Sequence, residues 1–95
     1  MQFSGKVEKV MGEGGWHVVV LPPEITQRLR DEAGKNGNVP VMVTIGKTTY
    51  PTTIMSMGQQ RWFFAVKADV RKAENITDGD TVTISIEPDL KRMTP

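Results

Sequence analysis

Ninety-five residues, 38% hydrophobic and 24% charged, suffice for one small hydrophobic core and exclude a second domain of ordinary size. Twelve Lys and Arg against eleven Asp and Glu leave a net charge of +1, too weak a field to gather a polyanion, and the lack of cysteine excludes disulfides, thiol nucleophiles and thiolate metal sites. No stretch approaches the ~20 apolar residues that span a bilayer, and Lys6, Glu8 and Lys9 stand where a signal peptide needs an apolar run, so a prokaryotic cytoplasm is the expected setting, with no membrane partner.

The elements run as follows. QFSGKVEKV, residues 2–10, and WHVVVL, residues 16–21, are predicted strands joined by a glycine-rich hairpin at Gly12 to Gly15. After Pro22-Pro23, EITQRLRDEAGK sets Ile25 and Leu29 one turn apart on a helix of two to three turns that ends at Gly34; proline in the first turn forfeits no hydrogen bond. VPVMVTI alternates Val39, Val41, Val43 and Ile45 with Pro40, Met42 and Thr44, the period of a strand with one buried face. Gly46-Lys47 then turns into TYPTTIMSM with Tyr50, Thr52 and Ile54 together, and Gly58 to Gln60 turns into RWFFAV, where Trp62, Phe64 and Val66 face the core and Phe63 lies outward with Arg61. Asp69 is expected to cap a short helical turn with Val70 and Ala73 inward, ended by Asn75; the Asp78-Gly79 turn leads into TVTISIE, with Val82, Ile84 and Ile86 inward.

Written under each other, the halves share an order: two strands, a helical segment, one alternating strand. VVLPPEITQRLR lies over FAVKADVRKAEN with Ile25 over Val70, and Val41, Val43 and Ile45 fall over Val82, Ile84 and Ile86. The predicted fold class is therefore mainly β: a closed six-stranded barrel of two pseudo-repeated β-β-α-β units, with one short helix and one helical turn. Residues 1–90 form the domain, and 91–95, with Lys91 and Arg92, a solvated basic tail.

The candidate ligand-binding residues are Arg71, Lys72 and Lys67. The equivalent turn of the first half has Thr26 and Gln27, so the architecture itself asks for no basic pair. Such a pair receives a carboxylate or phosphate through charge-assisted bonds. The alternative is that Arg71 closes over Asp69, Glu74, Asp78 or Asp80 and merely fixes the turn. Asp78-Gly79-Asp80 lacks the further oxygen ligands a calcium loop needs and reads as a turn. His17 is the only histidine, so no histidine cluster for zinc exists, and its place beside Trp16 on a strand favours a structural role over proton transfer. No catalytic residue, metal or cofactor is called for. The six methionines, with Met42 outward and Met55 and Met57 opposite Ile54, and an outward Phe63 fit either a partner surface or ordinary gap filling.

GWHVVVLPPEI at Gly15 to Ile25, VMVTIGKTTYPTTIMSMG at Val41 to Gly58 and VRKAENITDGDTVTISIE at Val70 to Glu87 resemble the motifs of a family of small bacterial and archaeal barrels of unknown function. The most specific part is Arg71, Lys72, Ile76, Gly79, Asp80 and Val82 in their spacing. Tyr50, where relatives usually have Phe, and Gln59-Gln60, where Gly or Asp is common, depart from the pattern. The resemblance implies a closed or double-split barrel, in some members joined to a domain of the bacteriocin-protection or OmpD-associated type, and no catalytic residues. A more distant likeness is to swapped-hairpin DNA-binding regulators: Leu21, Pro22 and Ile25 match one part of their motif and Gly79, Asp80 and Val82 the other, in different halves. The leading expectation is a non-enzymatic binding or accessory module for a protein partner or a small anionic ligand. The alternatives are DNA binding through Arg28, Arg30, Arg71 and Lys72, and an enzyme using His17 or a carboxylate.

Overall fold

The computed structural model describes residues 1–10, 16–34 and 37–93, and at Met93 the backbone alone. The expected Gly12 to Gly15 hairpin loop and the last two residues of the tail lie outside the described residues. The strands are β1 (Gln2–Lys6), β2 (Glu8–Lys9), β3 (His17–Val20), β4 (Val39–Ile45), β5 (Thr48–Gly58), β6 (Arg61–Ala65) and β7 (Thr81–Pro88). The helices are α1 (Pro23–Ala33), α2 (Ala68–Ala73) and α3 (Leu90–Met93). The described strands form one antiparallel sheet in the order β1-β7-β4-β5-β6-β3-β2.

Seven strands replace the expected six because the first predicted strand breaks at Val7. There the backbone leaves both ladders: the Val7 N–H donates to the Asp80 carbonyl at 2.8 Å, and its own carbonyl accepts from the Gly79 N–H at 2.7 Å. Before the break β1 pairs with β7 and after it β2 pairs with β3, so the two ends of the sheet order belong to one continuous segment that straddles the seam, and the barrel is nearly closed. Gly5 permits this approach, since a Cβ there would stand 2.6 Å from Val19 Cγ1.

The alternation holds where it was clearest. Val39, Val41, Val43 and Ile45 are all buried, as are Ile84 and Ile86, and the intervening residues of β4 are half-buried. Ile25 and Leu29 of α1 enter the same core with Tyr50, Ile54, Phe64, Val66 and Val70. The proline start of α1 and its end at a left-handed Gly34 (φ 65°) stand as expected. Other details differ. Asp69 lies inside α2, whose N-cap is Lys67 without a side-chain bond, and Ala73 is exposed while Val70 is buried. Phe63 is half-buried. Where a solvated tail was expected, Leu90–Met93 form α3, and Arg92 donates from Nη2 to the Val41 and Thr52 carbonyls and from Nε to Asp89. Val41 is the last β4 residue paired with β7 and faces Thr52 across the β4–β5 ladder, so one guanidinium nitrogen reaches both carbonyls.

Strand pairing is unchanged when the halves are exchanged. With β1 and β2 swapped for β5, β3 for β6 and β4 for β7, every strand pair becomes another strand pair or itself. Register follows: Val43↔Tyr50 corresponds to Ile84↔Phe3, Val41↔Thr52 to Val82↔Gly5, and Ser56↔Trp62 to Lys9↔His17. Val19↔Phe64 and Thr44↔Ser85 correspond to themselves and mark the axis of the exchange. Beyond the ladders, the Leu21 N–H donates to the Trp62 carbonyl and the Val66 N–H to the His17 carbonyl, both at 2.8 Å.

Candidate binding site

Each helix begins where a strand has just left the sheet, and each leaves a hollow between its first turns and the end of the neighbouring strand. Pro22 before α1 (φ −60°, ψ 144°) and Lys67 before α2 (φ −67°, ψ 156°) have nearly the same extended backbone, so the two hollows share a frame. The hollow beside α2 holds about 190 Å³ and is lined by Trp16, His17, Ala65, Val66, Lys67, Ala68 and Arg71. Its counterpart beside α1 holds about 360 Å³ and is lined by Pro23, Thr26, Gln27, Arg30, Gln60 and Trp62. Under the exchange, His17 stands for Trp62, Lys67 for Pro22 and Arg71 for Thr26.

Of the basic residues singled out from the sequence, Arg71 and Lys67 come together in the α2 hollow, while Lys72, exposed on the next helical position, does not line it. Arg71 is half-buried and donates from Nε to the Val66 carbonyl at 3.3 Å, a bond that holds its stem along the hollow's wall. The carboxylates expected to neutralise it are engaged elsewhere. Asp80 accepts from the Thr77 N–H at 2.8 Å and from its hydroxyl, Asp78 accepts from the Lys9 N–H at 2.8 Å, Glu74 accepts from the Thr48 hydroxyl at 2.6 Å, and Asp69 accepts from the Val70 N–H at 3.1 Å. Among the described residues Arg71 makes no ion pair. Asp78 and Asp80 thus do the turn work proposed for them, fastening the turn to itself and to the N-terminal segment.

His17 is half-buried in the same hollow, and its Nδ1 is shielded from solvent without a partner among the described residues. A shielded ring nitrogen left unbonded costs of order 1–3 kcal/mol. Trp16 forms the rim at 53% exposure, enough to offer a ring face to whatever enters. Behind the hollow the Tyr50 hydroxyl donates to the Ala65 carbonyl at 3.0 Å and fixes that wall; burial pushes the phenol's pKa well above its ordinary value.

The α1 hollow was not anticipated. Pro23, Thr26, Gln27 and Arg30 recur at the spacing of one helical face, a signal visible in the sequence, but only the folded β5–β6 turn brings Gln60 and Trp62 to meet them. A third, apolar groove of about 630 Å³ runs between α3 and Met42, Pro51 and Pro88, which accounts for the outward Met42. No helix of the described residues is long and apolar enough to cross a membrane.

Fold and hollows together define a small, mainly β barrel whose two helical connections each open a surface site. The chain belongs to the family described as Domain of unknown function (DUF1905), whose model matches residues 3–86. No curated protein matches the chain at a significant level.

Proposed function

We propose that this chain is a non-enzymatic binding module that receives an anionic group of a ligand or partner protein in the α2 hollow, with Arg71 and Lys67 as the cationic contacts. The observation that carries the reading is Arg71, which lines that hollow while Asp69, Glu74, Asp78 and Asp80 are all bonded to other groups. In the other half Thr26 stands in place of Arg71 and Pro22 in place of Lys67, so the frame needs no cation at those two positions. At about 190 Å³ the space is smaller than the ~300–1,000 Å³ usual for whole ligands, and suits one carboxylate or phosphate carried by a larger body. Lys72 lies on the approach and adds field without direct contact.

The test is an NMR titration with acetate and with inorganic phosphate, followed by a thermal-shift screen of anionic metabolites. Arg71→Ala is expected to abolish the shifts at His17 and Lys67, and Lys72→Ala to weaken them slightly. Unchanged binding in Arg71→Ala would remove the assignment. A response to small anions combined with a blank metabolite screen points to a protein carboxylate as the natural occupant.

We further read the two β-β-α-β units as a diverged duplication closing a double-split barrel, supported by the exchange symmetry of the ladders, and we place the protein in a bacterial cytoplasm on the strength of its cysteine-free composition. Separate expression of the halves tests the first: a half that refolds as a symmetric homodimer supports it. Location by fractionation of source cells tests the second.

A further inference from the structure

The α1 hollow has features the barrel does not require. Gln59 and Gln60 form the β5–β6 turn with φ of 55° and 60°, the left-handed region in which glycine or asparagine is at ease and a longer side chain is strained. Counting back from the strand, Gly14 and Gly15 hold the matching places in the first half. A Gln at position 60 therefore opposes the turn geometry, and the one thing it supplies that glycine lacks is a carboxamide at the mouth of the hollow. Strain of this kind, kept at a cavity wall, is a mark of ligand contact.

The opposite wall is equally ordered. Arg30 lies over the Trp62 ring, its guanidinium carbon 5.1 Å from the centroid, and Trp62 packs in turn against the core, so a cation is held at this wall against an indole that the core backs. Gln27 donates from Nε2 to Asp31 at 2.8 Å, which fixes its carboxamide, and its oxygen remains an acceptor on the same wall. Thr26 is buried, with its hydroxyl on the Pro22 carbonyl. Among the described residues the lining carries no carboxylate, and at about 360 Å³ the space falls within the range of small-molecule sites.

A guanidinium held against an indole and flanked by two carboxamides suits a planar ring with alternating donors and acceptors on its edge. Nucleobases stack on guanidinium planes and are read by the paired N–H and C=O of a carboxamide. We propose that the α1 hollow binds a single nucleobase, presented by a free nucleoside, with the ring on Arg30 and its edge on Gln60 and Gln27. The net charge of +1 favours such a neutral ligand over a nucleic acid strand. The site shares no lining residue with the α2 hollow and does not depend on the anion reading.

The experiment is a titration of the full chain with adenosine and cytidine, followed by NMR at the Trp62 indole N–H and the Gln27 and Gln60 carboxamides, with ribose as the control. Saturable shifts at these groups with a nucleoside, and none with ribose, are expected. Gln60→Gly provides the decisive variant, because it relieves the turn and so keeps the fold: its melting temperature should rise while nucleoside affinity falls by about tenfold, the scale of one lost bidentate contact. Absence of shifts with both nucleosides, identical shifts with ribose, or undiminished affinity in Gln60→Gly would each overturn the proposal.

Discussion

The hollows beside α1 and α2 have one backbone frame and two chemistries. One has Trp62 and Thr26 where the other has His17 and Arg71, and Pro22 precedes one helix where Lys67 precedes the other. Each half therefore serves as a control for the other: whatever both carry is needed to close the barrel, and whatever only one carries is free to do something else. By that measure Val43 and Ile84, or Ile25 and Val70, belong to the fold, while Arg71, His17 and Gln60 do not.

The largest break in the comparison falls on the axis, where Phe64 meets Val19. Both are fully buried, but the ring fills most of the shared space, so Phe64→Ala should lose about 3–5 kcal/mol in urea unfolding and Val19→Ala clearly less. Next comes Gly5 against its counterpart Thr52. Position 52 accommodates a β-branched side chain, whereas a Cβ at position 5 meets Val19 at 2.6 Å and Ile84 at 3.0 Å; Gly5→Ala should cost about 1–3 kcal/mol and Thr52→Ala much less.

Tyr50 against Phe3 gives a smaller effect with a pH signature. Tyr50→Phe loses the bond to the Ala65 carbonyl, worth about 1 kcal/mol by thermal unfolding at neutral pH. Because burial raises the folded phenol's pKa above the unfolded value of about 10, the phenol's contribution is intact below that pH and is lost as pH rises beyond it, where the unfolded chain ionises first. The variant should lack this part of the alkaline decline, and as Tyr50 is the only tyrosine, tyrosinate absorbance reports the transition directly. Smallest is Gln59→Gly. Left-handed strain of ~1–2 kcal/mol less the ~0.5–1 kcal/mol entropic cost of glycine leaves a gain of about 0.5–1 kcal/mol, and since Gln59 does not line the α1 hollow, nucleoside binding should be unaffected.

Period-two alternation made β4 and β7 legible, since each presents one face to a single core, and the proline and glycine boundaries of α1 are local chemistry that any context preserves. The break at Val7 was not legible: QFSGKVEKV has the pattern of one strand, and what divides it is a pair of backbone bonds to Asp80 and Gly79, more than seventy residues away. The site divided the same way. Setting the halves side by side exposed Arg71 as a residue the frame does not need. Its neighbours are His17, the first residue of β3, and Trp16 just before it, on the far side of the sequence, and the basic pair with Lys72 came apart because consecutive helical residues point in different directions.

The order of amino acids by itself determined the strand faces, the ends of the long helix and the likeness of the halves, because these depend on the character of each side chain and its near neighbours. Only the tertiary structure decided the seam at Val7, the engagement of four acidic side chains away from Arg71, and the meeting of Gln60 and Trp62 with α1. Those are contacts between distant segments, and their geometry is set by closure of the sheet, which no local pattern encodes.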